Sequence, residues 1–194
     1  NNVLQIFFAA STNSGTSFSP AIQLTSGSSV NGFITPVIAA AGSNVYVAYT
    51  ANGKNSYVVW SNNNGATWSA PLHFATTHEP QIAAVGNNAY AVADGVQIAV
   101  TNNAGATWTI ANNSTGKGDE PWIAVSGSYV YVVSQTKTST GIIHFFYSNN
   151  YGKAGSWTSE PGVDLSGAVS IGDAWEPQIT ASGNYVYLTF HELK

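Results

Sequence analysis

Short runs dominated by Val, Ile, Tyr, Phe and Ala alternate with clusters of Gly, Asn, Ser and Thr along the whole chain. No stretch carries helical periodicity, so the pattern predicts strands throughout. Four runs follow a proline: PVIAA from Pro36, PQIAA from Pro80, PWIAV from Pro121 and PQITA from Pro177. Proline at a strand's first residue costs no ladder hydrogen bond. Tight turns follow at Gly42, Gly86, Gly127 and Gly183, where Gly and Asn supply positive φ. Second strands are predicted from Val45, Ala89, Val130 and Val186. Third strands are predicted from Ser56, Val96 and Ile143, and from Leu4 at the other end of the chain. Weak outer strands come last, such as WSAPLHF from Trp68.

This four-strand pattern recurs with a period of about 45 residues, which marks a repeat architecture whose units cannot bury a core alone. The phase matters. Residues 1–24 read as the outer half of a unit and residues 176–194 as the inner half. Full units span about 34–76, 79–114 and 120–162. The expectation is a single all-β domain over residues 1–194. It would be a β-propeller of four four-stranded blades, the last completed by both termini within one chain or between subunits. Pairing between subunits makes a second copy of this chain a predicted partner, in a closed oligomer or a filament.

Each third strand leads into a hairpin signature: STNSGTSF from Ser11, SNNNGATW from Ser61, TNNAGATW from Thr101 and SNNYGKAGSW from Ser148. The signature resembles the Asp-box, or bacterial neuraminidase repeat, S-x-D-x-G-x-T-W, and the resemblance covers essentially the whole chain. It implies a hairpin between third and fourth strands, with turn glycines Gly15, Gly65, Gly105 and Gly152. The aromatics Phe18, Trp68, Trp108 and Trp157 would pack beneath each sheet. The first copy ends in Phe18 rather than Trp, and the fourth carries two extra residues before Trp157. All four family Asp positions hold asparagine here: Asn13, Asn63, Asn103 and Asn150. An asparagine oxygen still accepts backbone N–H groups across a turn, but the lost charge weakens any calcium role for these loops.

The resemblance also names an activity to test. Sialidases clamp a substrate carboxylate with three arginines, one from an F/Y-R-I-P motif. The nearest tetrad here is Phe33-Ile34-Thr35-Pro36, and the chain has no arginine. Scattered lysines cannot replace bidentate recognition, so the expectation is a non-catalytic member.

Composition narrows the class further. Charged residues are 7% of the chain, with a formal net charge of −4, which makes nucleic acid an unsuited partner. Hydrophobic residues at 44% argue against disorder. Cysteine is absent, so disulfides and thiol chemistry are excluded. No apolar run approaches the roughly 20 residues of a membrane-spanning helix. A start at NNVLQ without methionine leads to the expectation of a mature exported form or a cut fragment, extracellular or at the cell surface. Asn112 and Asn113 both begin glycosylation triplets.

The main candidate site is the residue before each leading proline: Glu79, Glu120 and Glu176, with Thr35 in the first unit. Repeat geometry would gather them near the axis, with Asp119, Asp173 and His78 close in sequence. The glutamates could cap backbone N–H groups or face solvent at loop ends. With Asp119 and Asp173 they could collect a hard cation such as Ca²⁺. A pair could serve as glycosidase acid and base. Trp122 and Trp175 flank the same Glu-Pro steps and, with His78, could bind a glycan, although packing explains tryptophans equally well. The four histidines are scattered without HExxH or similar spacing, and no GxSxG elbow occurs, so neither a zinc site nor a serine nucleophile is expected. The functional expectation is a non-enzymatic extracellular structural or adhesive protein that self-assembles. The alternatives are a carbohydrate-binding module and then a glycoside hydrolase.

Overall fold

The computed structural model describes residues 4–26, 36–112, 118–136, 142–158 and 174–192. Among these residues the fold is all-β, built from antiparallel sheets without a helix. An amino-terminal pair, β1 (Phe7–Phe8) and β2 (Ile22–Gln23), forms its own small sheet. The first full unit is a meander of β3 (Val37–Ala41), β4 (Asn44–Ala51), β5 (Asn55–Ser61) and β6 (Leu72–Ala75). The second repeats it with β7 (Gln81–Val85), β8 (Asn88–Ala93), β9 (Gln97–Thr101) and β10 (Thr109–Asn112). The third unit has β11 (Asp119–Ser126), β12 (Tyr129–Thr136) and β13 (Ile142–Ser148). Among the described residues its predicted fourth strand is represented by a single bridge, Ser148 to Trp157. A carboxy-terminal pair, β14 (Ala174–Ser182) and β15 (Tyr185–Glu192), ends the series.

The second strand of each full unit is almost wholly buried, because alternate side chains enter the cores on either side of its sheet. In β8, Ala91 and Ala93 pack with Ala48, Val58 and Phe74 of the first unit. On the other face, Tyr90 and Val92 pack with Ile123, Val130, Val132 and Phe146 of the third. The same rule joins the amino-terminal pair to the first unit through Ile6, Val47, Tyr49 and Val59. It joins the third unit to the carboxy-terminal pair through Tyr131, Val133, Ile179 and Leu188. The sheets therefore stack in chain order. The two terminal pairs, expected to complete one unit, lie in separate sheets and are not hydrogen-bonded to each other.

The hairpin signatures are one hydrogen-bonded device. The leading hydroxyl accepts the glycine N–H in every copy, at 2.9 Å for Ser11, Ser61 and Thr101 and 3.0 Å for Ser148. Asn13, Asn63 and Asn103 each accept a backbone N–H four residues on, at 3.0, 2.9 and 2.9 Å, through Oδ1. Their Nδ2 groups donate to the hydroxyls of Ser17, Thr67 and Thr107 at 2.8 Å. An aspartate has no donor for that second bond, so asparagine fits this loop in its own right. In the first three copies the leading hydroxyl also donates to the asparagine Oδ1, whereas in the fourth, which carries the two-residue insertion, the Ser148 hydroxyl meets that of Ser156 at 2.6 Å.

The turn glycine also lets the preceding sheet come close. At Gly105 (φ +87°) an added Cβ would stand 2.3 Å from the Trp60 ring of the first unit. At Gly15 (φ +84°) it would meet nothing. Gly105→Ala should cost about 1 kcal/mol for the left-handed backbone plus about 1–3 kcal/mol of overpacking. Gly15→Ala should show only the backbone cost. Denaturant unfolding of the two variants tests the difference, and equal losses would contradict this packing.

Candidate functional site

Glu79, Glu120 and Glu176 all adopt left-handed backbone, with φ of 54°, 50° and 52°. In the third unit and the carboxy-terminal pair, this residue sits in a β-bulge between Asp119 and Trp122 and between Trp175 and Gln178. A bulge adds an unpaired residue and re-aims side chains. The three glutamates converge on one cavity of about 340 Å³, which is also lined by Trp122, Gln81 and Gln178 and reaches Val37 of the first unit. The sequence-based grouping of the glutamates is thus the geometric one. Asp119 lies in β11 opposite Gln135 and does not line the cavity. Trp175 lies in β14 opposite His191. Its side chain, together with Thr35, Asp173 and Asn113, falls outside the described part; Asn112 ends β10.

Each glutamate carboxylate has a donor or imidazole beside it. Gln135 Nε2 donates to Glu120 at 2.8 Å. His191 Nδ1 is 3.3 Å from Glu176, and His78 Nδ1 is 3.6 Å from Glu79. Sequence reasoning missed the position that organises this region. Four residues after the repeated tyrosine (Tyr46, Tyr90, Tyr131, Tyr187) stand Thr50, Asp94, Gln135 and His191. Asp94 Oδ1 accepts the Glu120 N–H at 2.9 Å, and Gln135 Oε1 accepts the Glu176 N–H at 2.6 Å. Each clasp reaches from one unit into the bulge of the next, satisfying a backbone group that the bulge removes from its ladder. The signal was present as a polar residue at one repeat phase, at or just past the end of each second strand.

Asp94 is 4% exposed. Its Oδ2 lies 2.8 Å from His78 Nδ1, which draws His78 away from the cavity lining where the sequence placed it. Burial pushes the Asp94 carboxyl up to about 6; the Glu120 N–H and His78 pull it down, while Glu79 and Asp119 push it further up.

Two comparisons yield no relative: no family model matches the chain, and no curated protein matches it. Among solved structures, a mutant of Trypanosoma rangeli sialidase displaying trans-sialidase activity aligns with a TM-score of 0.54 at 13% identity. The alignment covers 98% of this chain and 39% of that one, so the chain spans about two fifths of that protein's length. At this identity the likeness shows a sialidase-like all-β propeller fold and nothing of activity.

The sign of the Asp94 shift gives a prediction for chelator-treated protein. A carboxyl raised from its ordinary value to about 6 favours the folded state fully below about pH 4, and that contribution is lost as pH rises through about 6. Asp94→Asn should flatten this part of the stability–pH profile. Urea midpoints measured from pH 4 to 7 test it, and a wild-type profile that does not fall across this window would contradict the assignment.

Proposed function

We propose that this chain is a non-enzymatic, extracellular structural or adhesive β-propeller. In this reading, copies join when the carboxy-terminal pair of one and the amino-terminal pair of the next complete a four-stranded blade. One observation carries the reading. The repeated tyrosine of the second strand is 0% exposed at Tyr46 and Tyr90 and 7% at Tyr131, but 57% exposed at Tyr187. The repeated isoleucine of the first strand is 7% exposed at Ile123 and Ile179, but 59% exposed at Ile38.

The two open faces are complementary by the rules of the fold. The tyrosine faces the following unit and the isoleucine the preceding one in every internal joint. A carboxy-terminal pair placed before β3 of a second copy would therefore lay Tyr187 over Ile38. The free edge of β15 would also meet β1, as β4 meets β5 within the first unit. Main-chain pairing with alternate buried side chains is a strong mode of association. With charged residues at 7%, little repulsion opposes contact between copies. The lack of any arginine leaves no carboxylate clamp of the sialidase kind.

Light scattering of the purified chain over increasing concentration should show oligomers. Tyr187→Lys and Ile38→Lys should each give folded monomers, because each blocks a different side of the joint. An equimolar mixture should give dimers, since one intact joint can then form between the two variants. A wild-type monomer, or variants that assemble normally, would overturn the proposal.

The cavity favours a second reading, a carbohydrate-binding propeller. Its volume lies in the range of small-ligand sites, and Trp122 offers a flat face beside polar Gln81 and Gln178. Sugar-dependent tryptophan fluorescence that disappears in Trp122→Ala would support it. A glycoside hydrolase using the same glutamates comes third, since their carboxylates already have partners in Gln135, His191 and His78.

A further inference from the structure

We propose that His78, Glu79 and Asp94 form a binding site for a divalent transition metal, with zinc as its natural probe. One ligand atom from each of His78, Glu79 and Asp94 lies within 4.8 Å of the other two, and His78 Nδ1 is 2.8 Å from Asp94 Oδ2 and 3.6 Å from Glu79 Oε1. Bonds of about 2.0–2.2 Å to one ion place its ligand atoms about 3–4.4 Å apart. His78 Nδ1 and Asp94 Oδ2, 2.8 Å apart, would part slightly around the ion, and the Glu79 side chain, 41% exposed, would close on it. The donor set differs from the calcium site expected from the glutamates. An imidazole nitrogen with two carboxylates suits Zn²⁺ or Mn²⁺, whereas Ca²⁺ takes oxygen ligands.

Two further features suit the site to an ion. The buried Asp94 is oriented through its second oxygen by the Glu120 N–H, as ligating carboxylates are commonly held by an outer hydrogen bond. Thr50 occupies, one unit earlier, the position from which Asp94 and Gln135 reach the bulge of the following unit, so it stands at the joint that carries Glu79. Its hydroxyl is buried, with the residue 1% exposed, and has no hydrogen-bond partner among the described residues. Such a group calls for a bound species, and a water on the ion would supply one.

The site escaped the sequence because its ligands do not follow a metal-binding spacing. His78 and Glu79 lie in the connection from β6 to β7, and Asp94 lies just beyond β8. A bound ion would tie that connection to the Asp94 clasp, and so to the bulge of the third unit. Its role would be to staple the stacked units, independently of whether copies associate.

The test is calorimetric titration of ZnCl₂ into chelator-stripped, dialysed protein, with circular dichroism to verify folding. One Zn²⁺ should bind per chain and should not be displaced by millimolar Ca²⁺. His78→Ala, at a half-exposed position, should weaken binding roughly tenfold or more. Glu176→Gln lies outside the triad and should bind as the wild type does. Cobalt in place of zinc should give visible absorption that His78→Ala loses. No saturable binding, or equal binding by His78→Ala, would overturn the proposal. A loss in Glu176→Gln matching that in His78→Ala would also overturn it, by moving the ion into the glutamate-lined cavity.

Discussion

The structure depends on one constraint: a second strand with apolar side chains on both faces must be covered from both sides. Ala91 and Ala93 look one way along β8, and Tyr90 and Val92 look the other. Neither neighbour alone suffices, because fully burying one Val- or Ile-sized side chain contributes about 1.5–3 kcal/mol and each face presents several. Each unit is consequently a requirement placed on the next. The chain meets that requirement at every internal joint and leaves it open where Tyr187 and Ile38 face solvent.

Given that stacking, the polar chemistry is assigned to the ends of the sheets. At one end the hairpin signatures close through hydroxyl and asparagine hydrogen bonds. A backbone bond repeats there in each full unit: Asn64 N–H to Ser43, Ala104 N–H to Asn87 and Tyr151 N–H to Ser128, at 2.8–2.9 Å. At the other end lie the bulges and their clasps. The closing residue differs in each unit (Thr50, Asp94, Gln135, His191), so joints alike in their apolar core differ in their polar fastening. Threonine is too short to make the bond that aspartate and glutamine make, and its hydroxyl is left without a partner.

Much of the architecture was legible because it rests on local rules. Strand runs, turn glycines and the repeat phase all follow from side-chain alternation and tight-turn stereochemistry. The convergence of Glu79, Glu120 and Glu176 followed from phase alone. Other features required coordinates. A residue before proline ordinarily favours extended backbone, so left-handed glutamates were not readable. Asp94 looked like the end of a strand, because its partners, His78 and Glu120, lie sixteen residues before it and twenty-six after. Trp60 read as one more strand aromatic, yet it occupies the space above Gly105. Separate terminal pairs could not be told from joined ones, since both satisfy the same pattern.

The glutamates show how these levels interact. Left-handed backbone costs a residue with a Cβ on the order of 1 kcal/mol, which glycine or asparagine would reduce. This chain uses both freely, including Asn52 and Asn64 at positive φ. Glutamate at three equivalent positions therefore offsets that cost with its side chain, and the partners are visible: Gln135 on Glu120, His191 beside Glu176 and His78 beside Glu79. The carboxylate and the backbone N–H of one residue thus act together. In Glu120 the side chain is tied to Gln135 of its own unit while its N–H is held by Asp94 of the unit before. A bulge that would otherwise expose an unpaired amide becomes the point where adjacent sheets are fixed in register. That explains why a chain so poor in charge spends three of its acids there.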